Sequence, residues 1–282
     1  MPKQFSAVGT EITFWGFLKA GIVHGTNGNL VDGQDSAMGQ LLGVSDLGLA
    51  LPEGRTIDIG GDNSNRGSIE LPPNASPSGQ LLTTVNNPTF VAAAQGGLIS
   101  TEDGLDLYLQ GVPCPDNVPL TIIHNAPAQR QDAGFLTETG YEITIYLFVK
   151  VQPRGRNNIQ DSQNAQYTHR IVGNYADKLP WGELLTAVKF GKTRAIQIGP
   201  FFSDFPMTMH TYIGDGSIGQ SVTLAHTPAG TTAAEVRVYN ANTGAKKTIT
   251  TDYTVAGNVV TFVTDPAAGE QNVIFYQFPP DC

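Results

Sequence analysis

The stretch EITIYLFVKV at Glu142–Val151 decides the fold class. Its residues alternate between two faces, with Ile143, Ile145, Leu147, Val149 and Val151 on one and Thr144, Tyr146, Phe148 and Lys150 on the other. A period of two is typical of a β-strand. Because both faces are largely apolar, we expect the strand to lie centrally in a sheet, or to face a core on one side and another subunit on the other.

Further strands and one helix are expected around this segment. Strand patterns occur at Arg55–Gly60, Pro119–His124, Gln166–Val172, Arg194–Gly199 and Met207–Ile213. TEITFWGFLKAG fits strand and helix equally, and we assign Trp15 to a strand. Pro180–Phe190, PWGELLTAVKF, predicts a helix, because Trp181, Leu184, Leu185 and Val188 recur at helical spacing and Pro180 suits a first turn.

Two domains joined by a linker are predicted. In GDGSIGQ at 214–220, three glycines interrupt the strand pattern. Five short strands are expected after it, at Ser221–Ala225, Ala234–Tyr239, Lys246–Thr251, Asn258–Val263 and Gln271–Phe278. We therefore predict a mainly β protein. Residues 1–213 would form a sandwich or barrel core with one flanking helix and long N-terminal loops. Residues 214–220 would form a glycine-rich linker, and residues 221–282 a small immunoglobulin-like β-sandwich. A chain ending near Ile213 is expected to fold by itself.

Composition excludes several classes of protein. Glycine and proline are abundant, at 32 and 18 of 282 residues, which suits a turn-rich β protein better than a helical bundle. The net charge of −9 has the wrong sign for tight binding to nucleic acid. No apolar run is long enough to span a membrane, and MPKQFSAVGTE lacks a secretory signal, so synthesis in the cytoplasm is expected. Cys114 and Cys282 are the only cysteines, which excludes a disulfide framework.

The sequence contains partial motifs for cofactor and metal binding, but the residues around each one do not meet the requirements of the motif. Gly214, Gly216 and Gly219 match G-x-G-x-x-G, but strand-like sequence follows where a phosphate-binding helix is required. The segment Asp62–Gly67 would start a calcium loop with Arg66 and Pro73 at ligand positions. Other aspartates and histidines could bind a metal or transfer a proton, but they do not occur at the sequence separations typical of metal ligands. They are Asp32, Asp35, Asp46, His24, His124, His169, His210 and His226. We expect no enzyme activity, cofactor or metal site.

Charge is distributed unevenly along the chain. Residues 1–149 carry 5 basic and 15 acidic side chains, whereas residues 150–194 carry 8 basic and 3 acidic ones. Ordinary solvated faces would account for this. Alternatively, two patches of opposite sign on one subunit suit head-to-tail contacts, which generate rings or filaments.

The C-terminal sequence TDYTVAGNVVTFVTDPAAGEQNVIFYQF resembles a short β module found in bacteriophage virion proteins. The matching residues are Asp252, Tyr253, Phe262, Pro266, Ala267, Ala268, Gly269 and Tyr276. The rest of the chain is more loosely similar to the major tail tube proteins of long-tailed phages, in the number and order of its strands around one helix. This resemblance implies hexameric rings stacked into a tube that conducts the genome. It also implies tape measure and tail terminator proteins as partners, viral DNA passing through without tight binding, and a location in the virion tail after assembly in the host cytoplasm.

Two other functional classes compete with the tube protein. A phage adhesin, capsid decoration protein or carbohydrate-binding sandwich would use loops that expose tyrosine and tryptophan side chains. A virion hydrolase would need a carboxylate pair or a serine and histidine arrangement, and the sequence offers neither. Assembly state distinguishes the first alternative, because a tube protein forms rings by itself.

Overall fold

The protein is described from a computed structural model. It covers residues 4–7, 12–16, 38–50, 55–61, 64–71, 76–87, 90, 91, 94, 98–102, 105–109, 120–132, 135–157, 166–173, 197–241 and 243–280. The described part is mainly β, as predicted, with several antiparallel sheets. The helix predicted at Pro180–Phe190, including Trp181, lies outside the described residues. Phe90, Val91 and Ala94 are helical, and the Val91 amide donates to the Asn87 carbonyl over 3.1 Å.

A long hairpin forms the spine of the largest sheet. Its strands are β10 (Leu120–Asp132) and β11 (Phe135–Asn157), and β11 contains the segment that decided the fold class. The other strands of this sheet are β1 (Gln4–Ala7), β2 (Ile12–Gly16), β3 (Met38–Leu41), β4 (Val44–Ala50), β7 (Ser78–Thr83), β12 (Gln166–Gly173) and β13 (Gln197–Ser203). The strand expected around Trp15 is therefore confirmed as β2.

Two strands of this sheet pair outside its main strand order. The main strand order is β3-β2-β10-β11-β12-β7-β4, while β1 pairs with the hairpin end of β10 at Ala128–Gln131 and β13 with the middle of β11 at Tyr141–Tyr146. The outermost strands β3 and β4 are joined by only Leu42 and Gly43. Two residues span roughly 10 Å, so the sheet curls until the first and last strands of this order approach each other.

The N-terminal third contains more strands than we expected. Two hairpins form separate sheets, β5 (Arg55–Gly61) with β6 (Ser64–Leu71) and β8 (Leu98–Glu102) with β9 (Leu105–Leu109). Long loops are expected in this part of the sequence, but SNRGSIEL pairs with β5 on both sides of a register shift between Asp58 and Gly60. Backbone pairing with a neighbouring strand overrides the weak strand propensity of these residues.

A β-bulge in the spine corrects the predicted face of β11. Leu120 pairs with Val149 and Ile122 with Tyr146, so Leu147 and Phe148 together oppose the single residue Thr121. The extra residue reverses the alternation of side chains. One core therefore receives Ile143, Ile145 and Leu147, and a second core receives Tyr146, Val149 and Val151. The prediction that Ile143 through Val151 share one face was wrong for this reason.

The C-terminal region forms two three-stranded sheets. One has the order β14-β19-β16, from Met207–Ile213, Gln271–Gln277 and Val236–Asn240; the other has the order β15-β18-β17, from Ser221–Thr223, Val259–Phe262 and Tyr253–Ala256. The strand predicted at Lys246–Thr251 is wrong, because only isolated bridges at Lys246 and Ile249 occur there. Most of that segment is exposed and offers no apolar face to bury.

The sheets divide at a different place from the predicted boundary. β14 pairs along its whole length with β19, from Met207 opposite Gln277 to Ile213 opposite Gln271. All seven residues of β14 are buried. The division between the sheets thus precedes Met207, whereas independent folding on either side of Gly214 stays a prediction.

Asn125 joins the two regions. It lies in β10 and is fully buried, and its side-chain oxygen accepts from the Met207 amide over 2.8 Å. Its side-chain nitrogen donates to the carbonyls of Met207 and Ile12, each over 3.0 Å. The Asn125 side chain thus acts as a strand neighbour for the start of β14. Phe14 of β2 also contacts Phe278 edge to face, at 5.6 Å between ring centroids.

Candidate interaction surfaces

The structure does not bring the predicted chemical side chains together. His24, Asp32, Asp35, Cys114 and Cys282 lie outside the described residues. Asp46 lies on the exposed strand β4, where Gln80 donates to it over 3.3 Å. Within the described ranges, no group of three histidine, cysteine or acidic residues is placed to hold a metal ion.

The four described histidines lie in separate packing environments. His124 shares a hydrogen bond of 3.0 Å with the Thr13 hydroxyl, and His226 stacks on Phe278 at 4.2 Å between centroids. His169 is 4% exposed and meets the Phe90 ring edge to face. Burial lowers the pKa of His169 below its ordinary value, because the charged ring would lose its hydration. His210 is buried in β14.

A polar cleft of about 710 Å³ lies over strands β4, β7 and β12. Asp46, Gln80 and Arg170 contribute polar side chains to it, and all three are exposed. Gly48 leaves open space above the sheet, since a side chain there would meet nothing within 4 Å. Such a cleft is an open sheet surface without convergent catalytic groups.

The glycine-rich segment 214–220 is a hydrogen-bonded loop. The Gln220 side-chain oxygen accepts from the Tyr212 hydroxyl over 2.9 Å, and its nitrogen donates to the Pro266 carbonyl over 2.7 Å. The Asp265 carboxylate accepts from the amides of Gly219 and Gln220. These bonds hold the loop against the turn that follows β18, which is unlike a flexible linker. β15 follows the loop, so the helix required for binding a dinucleotide is replaced by a strand.

Gly214 is required by close packing against the same turn. A β-carbon at this position would lie 2.5 Å from the Ala267 carbonyl oxygen and 2.6 Å from the Pro266 side chain. The Gly214 amide donates to the Glu270 carbonyl, and the Gly269 amide donates to the Gly214 carbonyl, each over 2.8 Å. The sequence signal was therefore present, in DPAAGE and GDGSIGQ, but nothing in either motif indicated that they pair.

The loop presents an apolar side chain to solvent. Ile218 is 96% exposed, and Val263, beside the paired start of β15, is 56% exposed. Asp215 precedes Ile218 in the same loop, and the Asp265 carboxylate accepts from the amide of Gly219 over 3.0 Å. Hydrogen bonds from Ser217 lower the pKa of Asp215. We call Ile218, Val263, Asp215 and Asp265 the Ile218 tip. Sequence analysis missed it, because a single isoleucine in a glycine-rich segment carries no periodic signal.

An apolar cavity of about 440 Å³ lies where the two regions meet. Its lining is apolar except for one cation and comprises Ile145, Ile198, Gly199, Pro200, Phe201, Met207, Arg237 and Phe275. The Arg237 Nε donates to the Ala233 carbonyl over 3.3 Å. The carboxylate of nearby Glu235 is hydrogen-bonded by the Thr232 amide and hydroxyl. We call this space the Arg237 cavity.

Strands β1 and β13 lie on opposite sides of the spine hairpin, at different positions along it. β1 pairs with Ala128–Gln131 of β10, and β13 pairs with Tyr141–Tyr146 of β11. Within the part of the chain that is described, neither strand has a second strand neighbour. Unpaired amide and carbonyl groups along a strand edge are available to another chain.

The basic segment 150–194 is described only in part. Lys150 lies opposite Val172, and Arg156 opposite Tyr167, in the pairing of β11 with β12. Arg154 lies in the same part of β11, next to a register shift. The three basic residues thus follow one strand from the centre of the sheet toward its end.

Comparisons with known proteins identify no family. The sequence matches no protein-family model, and a search of curated proteins finds no significant match. Among the described residues, no helix is both long enough and apolar enough to cross a bilayer.

Proposed function

We propose that this protein is a structural virion protein that assembles into stacked hexameric rings forming a phage tail tube. The tube would conduct the genome during delivery. Assembly would take place in the host cytoplasm, with tape measure and tail terminator proteins as further partners. The proposal assigns no catalytic, cofactor or metal site to the chain.

The observation that carries this proposal is that β1 and β13 pair with opposite sides of the β10-β11 hairpin, and that each has one strand neighbour in the described part. One subunit thereby offers two different strand edges. A contact between two different edges is heterologous, and repeated rotation of such a contact closes a ring. The main-chain hydrogen bonds of a shared sheet would supply much of its stability.

The finer fold assignment belongs to the same proposal. The curl that brings β3 close to β4 suits a barrel or sandwich core, and Phe90 with Trp15 would fill its interior. The helix predicted at Pro180–Phe190 would flank this core. The C-terminal region of two three-stranded sheets would be the appended immunoglobulin-like module.

Charge supports a conduit for DNA. A net charge of −9 disfavours retention of phosphates, so DNA would pass without tight binding. The basic strip at Lys150, Arg154 and Arg156 would then contact an acidic surface of the neighbouring ring. A contact of this kind weakens as salt screens the charges.

Electron microscopy of purified protein tests the proposal. Wild-type protein is expected to form rings or tubes, whereas a variant lacking residues 1–7 is expected to stay folded and form none. β1 pairs only with the hairpin end of β10, so its removal should leave the two cores in place.

A matched control replaces residues 4–7 with Thr-Val-Thr-Val. This sequence keeps a strand-forming backbone edge while changing the side chains, so ring formation should persist. Wild-type protein that remains monomeric at high concentration would instead favour the alternative of an adhesin or capsid decoration module. Rings formed without β1 would remove the shared-edge contact from the proposal.

A further inference from the structure

The Ile218 tip combines exposure with a fixed backbone. An isoleucine that is 96% exposed on a flexible linker would need no explanation, but this one lies on a loop held by Gln220 and Asp265. A loop whose backbone is ordered before association loses less conformational entropy on binding. The fixed loop therefore makes Ile218 suitable as an apolar anchor for a contact with another molecule.

The Arg237 cavity has the complementary character. Its volume of about 440 Å³ exceeds that of one isoleucine side chain, and its walls are apolar. Arg237 contributes a positive charge, while the tip carries the carboxylates of Asp215 and Asp265. An apolar anchor with acidic neighbours thus matches an apolar cavity with a basic residue.

The tip cannot fill the cavity of its own chain. Met207 at the start of β14 lines the cavity, whereas the tip follows Ile213 at the end of that strand. Seven extended residues span about 20 Å. The complementary surfaces therefore lie at opposite ends of one buried strand, and a second copy of the chain must supply the missing half of the contact.

We propose that Ile218 of one subunit inserts into the Arg237 cavity of the next subunit, forming a head-to-tail contact between copies of this chain. The inference rests on the proposed self-assembly and names a contact that contributes to it. Because the two surfaces differ, the contact is heterologous and can repeat without limit.

Disulfide cross-linking tests the geometry directly. In a background with Cys114→Ser and Cys282→Ser, chains carrying Ile218→Cys are mixed with chains carrying Ile198→Cys and exposed to a mild oxidant. We expect a cross-linked dimer in the mixture and in neither variant alone. Val85→Cys mixed with Ile198→Cys is the matched control, since Val85 is an exposed apolar residue elsewhere, at 42% exposure.

The outcomes separate this inference from the proposed function. Ile218→Cys chains that cross-link to one another would show a symmetric contact and overturn the inference, as would assembled tubes with no cross-link between positions 218 and 198. Tubes seen by electron microscopy in either case would leave the proposed function standing. A mixture that never assembles would overturn both proposals.

Affinity gives a second measure. Ile218→Ser is expected to weaken association between copies about tenfold or more, as the loss of an apolar anchor does, while Val85→Ser keeps the wild-type value. Sedimentation velocity over a concentration series measures the difference. Equal affinities for the two variants would overturn the inference.

Discussion

The C-terminal region covers part of its strand edges with hydrogen bonds from segments that are not strands, whereas the spine of the N-terminal sheet carries the outer strands β1 and β13. In the C-terminal region, the edge of β16 is covered by hydrogen bonds with residues 245–247, and the start of β14 is covered by Asn125. Its turns use left-handed glycines such as Gly244, Gly257 and Gly269. Along the N-terminal spine, β1 and β13 each have one strand neighbour in the described part.

A β protein can satisfy the backbone hydrogen-bonding groups at its strand edges in two ways. A region that pairs or covers its edges is complete as a monomer, and its loops are free to carry contacts. A region with open edges is completed by another chain. The comparison depends on assigning β14 to the C-terminal region, so the first test concerns that strand.

Two C-terminal fragments should differ completely in folding. A fragment of residues 207–280 keeps β14 and is expected to unfold cooperatively, whereas a fragment of residues 214–280 lacks it and is expected to be unfolded or aggregated. Removal of β14 leaves β19 paired with β16 on one side only, opens its other edge along the whole length, and uncovers the core around Phe275. Circular dichroism and amide chemical-shift dispersion measure the difference.

The complementary chain of residues 1–213 serves as the control. It retains β14 without β19, so we expect insoluble protein. Cooperative folding of residues 214–280, together with soluble rings from residues 1–213, would support the predicted boundary at Gly214 and show that β14 does not belong to the C-terminal region.

The link between the regions should respond strongly to Asn125. Asn125→Ala leaves the amide and carbonyl of Met207 without side-chain partners, which should cost about 1–3 kcal/mol for each buried group. Denaturant unfolding measures the loss, and calorimetry should show the two regions melting further apart. Asn258→Ala is the matched control, because its bond of 3.3 Å to the Leu224 carbonyl lies within the C-terminal region. A loss no larger than that of the control would mean that Asn125 does not couple the regions.

The fold class followed from local patterns, while the joint between regions did not. EITIYLFVKV indicated a buried strand, because alternation is a property of neighbouring residues. The bulge opposite Thr121 depends on the register with β10, which no local pattern encodes. The predicted strand Pro119–His124 ended one residue before Asn125, whose partner Met207 lies 82 positions away.

The candidate surfaces were still less predictable. GDGSIGQ was interpreted as a linker, because glycines that permit a left-handed backbone also occur in flexible segments. The contact of Gly214 with Ala267 required knowledge of a turn more than fifty residues later. The open edges of β1 and β13 are a property of sheet order, which the sequence does not state.

A smaller effect should come from His169, in the N-terminal sheet alone. Burial lowers the pKa of His169, so below its ordinary value of 6.5 the unfolded chain binds a proton that the folded chain does not. Stability should therefore fall as the pH falls below about 6.5, by up to about 1.4 kcal/mol per pH unit. Above that pH the ring is neutral in both states and contributes nothing to the pH dependence.

Thermal unfolding at pH 5, 6 and 7 measures this dependence for wild-type protein and His169→Gln. The variant should lose part of the slope of the melting temperature against pH, whatever its stability at pH 7. An unchanged slope would show that His169 is protonated without cost. If His169→Gln changes the slope only for the unfolding transition of the N-terminal sheet, the two regions unfold as separate units.

The antiparallel pairing of β14 with β19 has an architectural consequence. Met207, where the chain enters the C-terminal region, lies opposite Gln277, where it leaves the last strand. The first strand of the region therefore begins next to the point where its last strand ends. A segment with this geometry can be transplanted into a surface turn of another host protein without separating the ends of that turn.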